Sequence, residues 1–175
     1  NNNRVLGLSV VDNIAQALVR VSACYAAPDT AATRAAAWQN VLSLLLKQEP
    51  FSADRLQVKK YLANFMRTIA NTNAETLTLE TLTAFLQQFS KQEAIVLLAV
   101  WLQTNMNTQQ SNGGAYDPPE VFFEKRSGDC TEVAWLAEQV LSAIGIATDV
   151  FVLQYEFFYA MRVSAEGHAF TRCRF

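Results

Sequence analysis

Over the first two thirds of the chain, apolar residues recur at intervals of three and four, the pattern of one-sided helices. From Val11 to about Tyr25 this puts Ile14, Ala17, Leu18 and Val21 on one face. Pro28-Asp29-Thr30 then interrupts the pattern and offers a cap to a helix from Ala31 to about Gln48, striped by Ala37, Val41, Leu44 and Leu45. Pro50 closes that helix. Ser52 caps the next, in which Leu56, Tyr61 (or Lys60), Ala63, Met66 and Ile69 form the stripe. A shorter helix is predicted over Thr78 to Phe89. Ser90-Lys91-Gln92-Glu93 reads as a capping box, Ser and Glu each satisfying the other's orphan amide, and it launches Ala94 to about Met106.

The pattern then changes twice. Gln109 to Gly114 is a polar, glycine-ended loop, and Asp117-Pro118-Pro119-Glu120 reads as a turn into a short helix. Cys130 to Ile144 is helical again and stops at Gly145, the residue type best suited to a helix C-terminus. Beyond it the period falls from 3.6 to 2. Ala147–Tyr155 and Phe157–Val163 are rich in Val, Phe and Tyr, and Gly167–Phe175 alternates loosely, so all three read as strands. The expected organisation is a helical domain over 1–107, a linker over 108–118 and a helix-then-sheet core over 119–175.

Composition narrows the function classes. The 175 residues are 51% hydrophobic and 17% charged, as in a globular chain with a proper core. A net charge of −2 and the absence of a basic block argue against nucleic-acid partners. The longest apolar run, Ala94–Leu102, is about half the roughly 20 residues of a membrane span, so no span is expected. Cys24, Cys130 and Cys173 are too few and too scattered for a disulfide framework or a zinc site, and His168 is the one histidine. No metal, nucleotide or flavin motif occurs, so the expected chemistry is cofactor-free. The chain opens Asn1-Asn2-Asn3 without Met, which suggests processing or trimming and leaves the compartment unassigned.

Candidate chemistry sits in Ser127-Gly128-Asp129-Cys130-Thr131-Glu132. Gly128 and Asp129 turn the chain so that Cys130 falls in the first turn of a helix. Amides there lack intrahelical partners, and the helix dipole favours an anion, which makes a thiolate a better nucleophile. Cys130 shares a face with Val133, Ala134, Ala137, Val140, Leu141 and Ile144, predicted to pack on the strands that follow. His168, in Gly167-His168-Ala169-Phe170, lies on one of those strands. An imidazole near that helix end could form the thiolate–imidazolium pair of acyl transfer, with amides near Cys130 holding the oxyanion.

Pro119 to Phe170 resembles the core of the transglutaminase-like superfamily of papain-like cysteine enzymes. The likeness rests on the acidic-Pro turn, then Arg126-Ser127-Gly128-Asp129-Cys130, then Ala134, Leu136 and the Leu141-Ser142-Ala143-Ile144-Gly145-Ile146 helix end. A Val-rich strand and Gly-His-Ala-Phe complete it, with 38 residues from Cys130 to His168. The resemblance implies an α+β fold, an N-terminal helical bundle packed on a core whose Cys-bearing helix lies against a small antiparallel sheet. It implies Cys130 as nucleophile and His168 as base in hydrolysis, deamidation or transamidation of a protein or peptide amide. Bacterial members include periplasmic proteases and secreted effectors, settings that would suit a soluble protein.

The resemblance departs at the third residue, usually an Asp about 15 positions beyond the His. Only seven residues follow His168, and none is acidic or an amide. Asp149 and Glu166 are the alternatives on the sheet side, beside a residue in a missing tail or a degenerate site. Asp129 reads more simply as a helix cap than as a catalytic acid. Trp101 and Gln103, upstream candidates for an oxyanion donor, read first as structural, and Trp38 and Trp135 read as core. Cys24 and Cys173 read as inert, a bridge between them being conceivable in an oxidising compartment. Two other functions stay open: a catalytically degenerate protein-binding or regulatory module, and a helical domain that grips a partner protein.

Overall fold

The computed structural model describes residues 13–26, 30–47, 55–108, 116–159 and 162–174; the side chains of 46–47, 151–172 and 174 lie outside that description. The predicted caps Pro28-Asp29 and Ser52, the closing Pro50 and the loop 109–114 also fall outside it. Seven helices are present among the described residues: α1 Ile14–Ala26, α2 Ala31–Lys47, α3 Arg55–Ala70, α4 Leu79–Leu86, α5 Lys91–Asn105, α6 Pro119–Lys125 and α7 Cys130–Ala143. The strands are β1 Asn107–Thr108, β2 Ser127–Gly128, β3 Ala147–Tyr159 and β4 Arg162–Arg174. The chain divides into two compact units, residues 1–76 and 77–175.

In the first unit α1 lies against both α2 and α3. Asn13 caps α1 by accepting from the Gln16 amide at 2.9 Å, and Thr30 caps α2 by accepting from the Thr33 amide at 3.2 Å. Ile14, Leu18, Val21, Trp38, Val41, Leu62 and Phe65 are all buried in the core, where Phe65 takes Tyr25 and Trp38 edge-on. The phase of α3 differs from the expected stripe. Its buried positions are Val58, Leu62, Phe65 and Met66, whereas Leu56 is 82% exposed. The buried set is a helical repeat anchored by a Phe, and the larger apolar volume decides which stripe turns inward.

The second unit holds α4 to α7 and all four strands. The predicted capping box is present, Ser90 and Glu93 exchanging bonds at the start of α5, and Thr78 caps α4 through the Thr81 amide. Helix α5 buries Ala94, Val96, Leu97, Leu98, Val100, Trp101 and Thr104 over most of its circumference, while α7 packs against both long strands and against α4, α5 and α6. No described helix is long and apolar enough to cross a membrane.

Helix α7 ends in a Schellman motif, the Ile146 amide donating to the Leu141 carbonyl and the Gly145 amide to the Ser142 carbonyl, each at 3.0 Å. Gly145 has φ +77°, and a Cβ there would meet nothing within 4 Å. Lys91 donates to the Gly145 carbonyl at 2.7 Å and places its charge at the negative end of α7. Gly145→Ala is therefore a purely backbone probe, expected to cost about 1–2 kcal/mol. Faster hydrogen exchange at Gly145 and Ile146, with the α5 amides unchanged, would register that cost.

The expected α+β architecture, a Cys-bearing helix on a small antiparallel sheet of papain-like type, is not what the chain forms. The protein is mainly helical, and no described sheet exceeds two strands: β1–β2 is a parallel pair two residues long, and β3–β4 is a single antiparallel ribbon. The physical reason lies in the continuity of the two late strands. Pairing runs from Ala147–Arg174 to Tyr159–Arg162 without a bulge, straight through the breaks expected near Glu156 and Ser164–Glu166. Three short strands become two long ones, and each satisfies the other's backbone.

Candidate functional site

The tip of α7 is assembled from three directions. Pro118 and Pro119 start α6, Pro119 taking the first helical position, where its missing N–H costs nothing. Buried Phe122 and Phe123 fasten α6 to the core, and the helix stops at Arg126, which turns left-handed at φ +58°. Its carbonyl accepts from the Asn107 amide at 2.8 Å, starting the parallel pairing that lays Ser127 and Gly128 beside Asn107 and Thr108. Gly128 then passes so close to Phe122 and Glu132 that any Cβ would collide with both.

Asp129 is the N-cap of α7. Its Oδ1 accepts from the amides of Thr131 at 2.8 Å and Glu132 at 3.1 Å. Glu132 closes the box by accepting the Asp129 amide on Oε2 at 2.8 Å, and its Oε1 accepts the Asp117 amide at 2.8 Å. Asp129 and Glu132 are both buried. Asp117 in turn pairs with Lys125 of α6. Glu132 is the residue the sequence reading missed. Its spacing from Asp129 is the familiar capping-box spacing, but its second bond, to Asp117 fifteen residues back, has no local signature.

Cys130 is the first residue of α7 and is half-buried, and no disulfide joins Cys24, Cys130 or Cys173. Of the amides near Cys130 expected to hold the oxyanion, those of Thr131 and Glu132 are engaged by the Asp129 carboxylate. Burial pushes the Cys173 thiol up.

His168 and Glu166 lie on β4 with their side chains outside the described residues, so their positions come from the ribbon register. Helix α7 packs against both strands, and the Ser142 and Thr148 hydroxyls, 3.0 Å apart, tie the helix end to the strand start. From Ser142 back to Cys130 the helix spans about 18 Å at ~1.5 Å per residue, a length a strand covers in about five or six residues. Counting from Thr148 reaches Leu153, whose register partner is His168. Strand alternation assigns the Leu153–His168 pair to the pleat opposite Thr148–Cys173, and Thr148 is on the pleat that meets Ser142 of α7. Asp149 pairs with Arg172 beside the other end of α7, four register steps from His168, or about 13 Å at strand rise. Glu166 stands two residues from His168 on the same strand.

Upstream, Trp101 is buried and stacks on Phe123 with ring centroids 5.2 Å apart. Arg126 lies over both rings, 3.8 Å from the Phe123 centroid and 4.7 Å from that of Trp101, and burial pushes its pKa down. Trp101 thereby has a packing role, and Gln103 is exposed. Trp38 is core as expected, but Trp135 is 39% exposed and takes Tyr116 edge-on, so it belongs to the surface. Its position on α7 is flanked by the buried Ala134 and Leu136, which carry the inward stripe instead. Among the described residues, no group of three His, Cys, Asp or Glu side chains could hold a metal ion.

No protein-family model matches the chain, and no curated protein and no solved structure matches it.

Proposed function

We propose that the protein performs thiol-mediated acyl transfer on a protein or peptide amide, with Cys130 as nucleophile and His168 as its base. The observation that supports this most is the placement of a half-buried Cys130 as the first residue of a helix capped by Asp129 and Glu132. The Gly128-Asp129-Cys130 step and its resemblance to transglutaminase-like enzymes support it further. In the reaction the thiolate attacks the amide carbonyl, the C–N bond breaks, and the imidazolium protonates the departing amine to leave a thioester. Water or a second amine then attacks the thioester, giving acid or new amide and returning the proton and the thiol.

A second reading, a protein-binding module with a degenerate site, is favoured by one specific feature. The Asp129 carboxylate occupies two amides of the helix tip, and Glu132 brings a second negative charge beside them. Iodoacetamide alkylation, followed per cysteine by mass spectrometry across pH, separates the two readings. Acyl-transfer chemistry predicts that Cys130 alone reacts quickly at pH 6 and loses that advantage in His168→Ala. A Cys130 that reacts no faster than an ordinary thiol, with a pKa of about 8.5, would sink the enzyme reading and leave the binding module. Cys173, held in its protonated form by burial, supplies the slow internal reference.

A further inference from the structure

We infer that Glu132 is a positioning residue for Cys130, holding the nucleophile's turn and the segment before α6 as one unit; this rests on the acyl-transfer reading. Its two carboxylate oxygens are used on two different pieces of chain: Oε2 receives the Asp129 amide and Oε1 the Asp117 amide, each at 2.8 Å. Asp129 immediately precedes Cys130, so the first bond fixes the peptide that delivers the thiol. Asp117 precedes Pro118 and Pro119, so the second bond fixes where α6 begins. Tyr116, one residue further back, rests against Trp135 of α7, and Lys125 closes the circuit by pairing with Asp117. The arrangement joins residues 116–118, α6 and the first turn of α7 through a single buried carboxylate.

Only a carboxylate can do this. A glutamine of the same length offers one acceptor and sets an NH₂ against the remaining amide, leaving a buried donor unmatched. An aspartate keeps both acceptors and the charge but is one methylene short. The alternative roles make different predictions: a charge that merely raises the cost of the thiolate is preserved by Asp and relieved by Gln, and a space-filling side chain is replaced adequately by Gln.

The test compares Glu132→Gln and Glu132→Asp with the unaltered chain by pH-resolved, per-cysteine alkylation with iodoacetamide. Hydrogen exchange of the peptide containing Tyr116 and Asp117 is followed in parallel. Positioning predicts that both variants slow Cys130 at pH 6 by about tenfold or more, the scale of a small misplacement of a reacting group. Cys24 and Cys173 keep their rates, and the Asp117 amide loses protection. An Asp variant that matches the unaltered chain beside a faster Gln variant would assign Glu132 a charge role only. Unchanged Cys130 rates in both, or three cysteines that react alike because the fold is lost, would equally overturn the positioning role. If the unaltered Cys130 shows no advantage at pH 6, the acyl-transfer reading has failed, and the exchange data still report separately whether Glu132 anchors the segment.

Discussion

Phe122→Ala is expected to destabilise the 77–175 unit by about 4 kcal/mol, the largest effect of any single substitution considered for it. Phe122 is fully buried on α6, and its ring also forms the floor on which Gly128 lies. Truncation removes the burial energy of an aromatic side chain and leaves a cavity beneath the turn that leads to Cys130. Neighbouring Phe123 cannot move in to fill it, because it is held in the stack with Trp101 and Arg126. Because the chain has two compact units, the loss is best read locally. Hydrogen exchange of peptides from α5, α6 and α7 under mild denaturant should show the drop, while peptides from α1 to α3 should not. A loss below about 1 kcal/mol would mean that the site collapses freely and that Phe122 does not support the turn.

Gly128→Ala is the second large effect, expected to cost about 3 kcal/mol through overpacking and disruption of a buried hydrogen-bonded carboxylate. An added Cβ would lie 2.6 Å from Cε2 of the buried Phe122 ring and would also press on the Glu132 carboxylate. Neither neighbour can yield cheaply: the ring is buried, and both carboxylate oxygens are committed to backbone amides. The glycine is required by close approach, since its backbone is not among those with positive φ. Two measurements check this. Exchange of the α7 amides should accelerate, and Cys130 alkylation should lose whatever advantage it has over Cys173. In a Phe122→Ala background the added methyl should cost less than it does alone, because half of the collision is gone; strict additivity would show that the two residues do not meet.

Much of this architecture was legible in residues acting over short distances. Thr30, Thr78, Ser90 and Asp129 all cap helices because a side-chain oxygen three residues from an orphan amide has little choice of partner. Gly145 ends α7 because it is the residue that adopts positive φ without strain. The proline pair starts α6 for an equally local reason. The phase of α3 was not legible. Two overlapping apolar stripes competed, and the choice between Leu56 and Val58 as the inward residue depends on where Phe65 meets Tyr25 and Trp38.

The site divides along the same line. Cys130 at a helix tip, preceded by Gly-Asp, is a property of six consecutive residues, and the sequence by itself determined it. It likewise determined the helical character of the described segments up to residue 143, through periodicity and caps. Tertiary structure decided the rest. Whether the late alternating segments make a sheet or a ribbon depends on which strand finds which partner, and the continuous 13-residue pairing of β3 and β4 leaves no third strand beside them among the described residues. The pleat on which His168 falls depends on register, where one residue of slip exchanges the two faces. The second bond of Glu132 depends on the fold bringing Asp117 back beside α7. Interactions between near neighbours are encoded by spacing alone. Those between distant segments are chosen only when packing has fixed which surfaces meet.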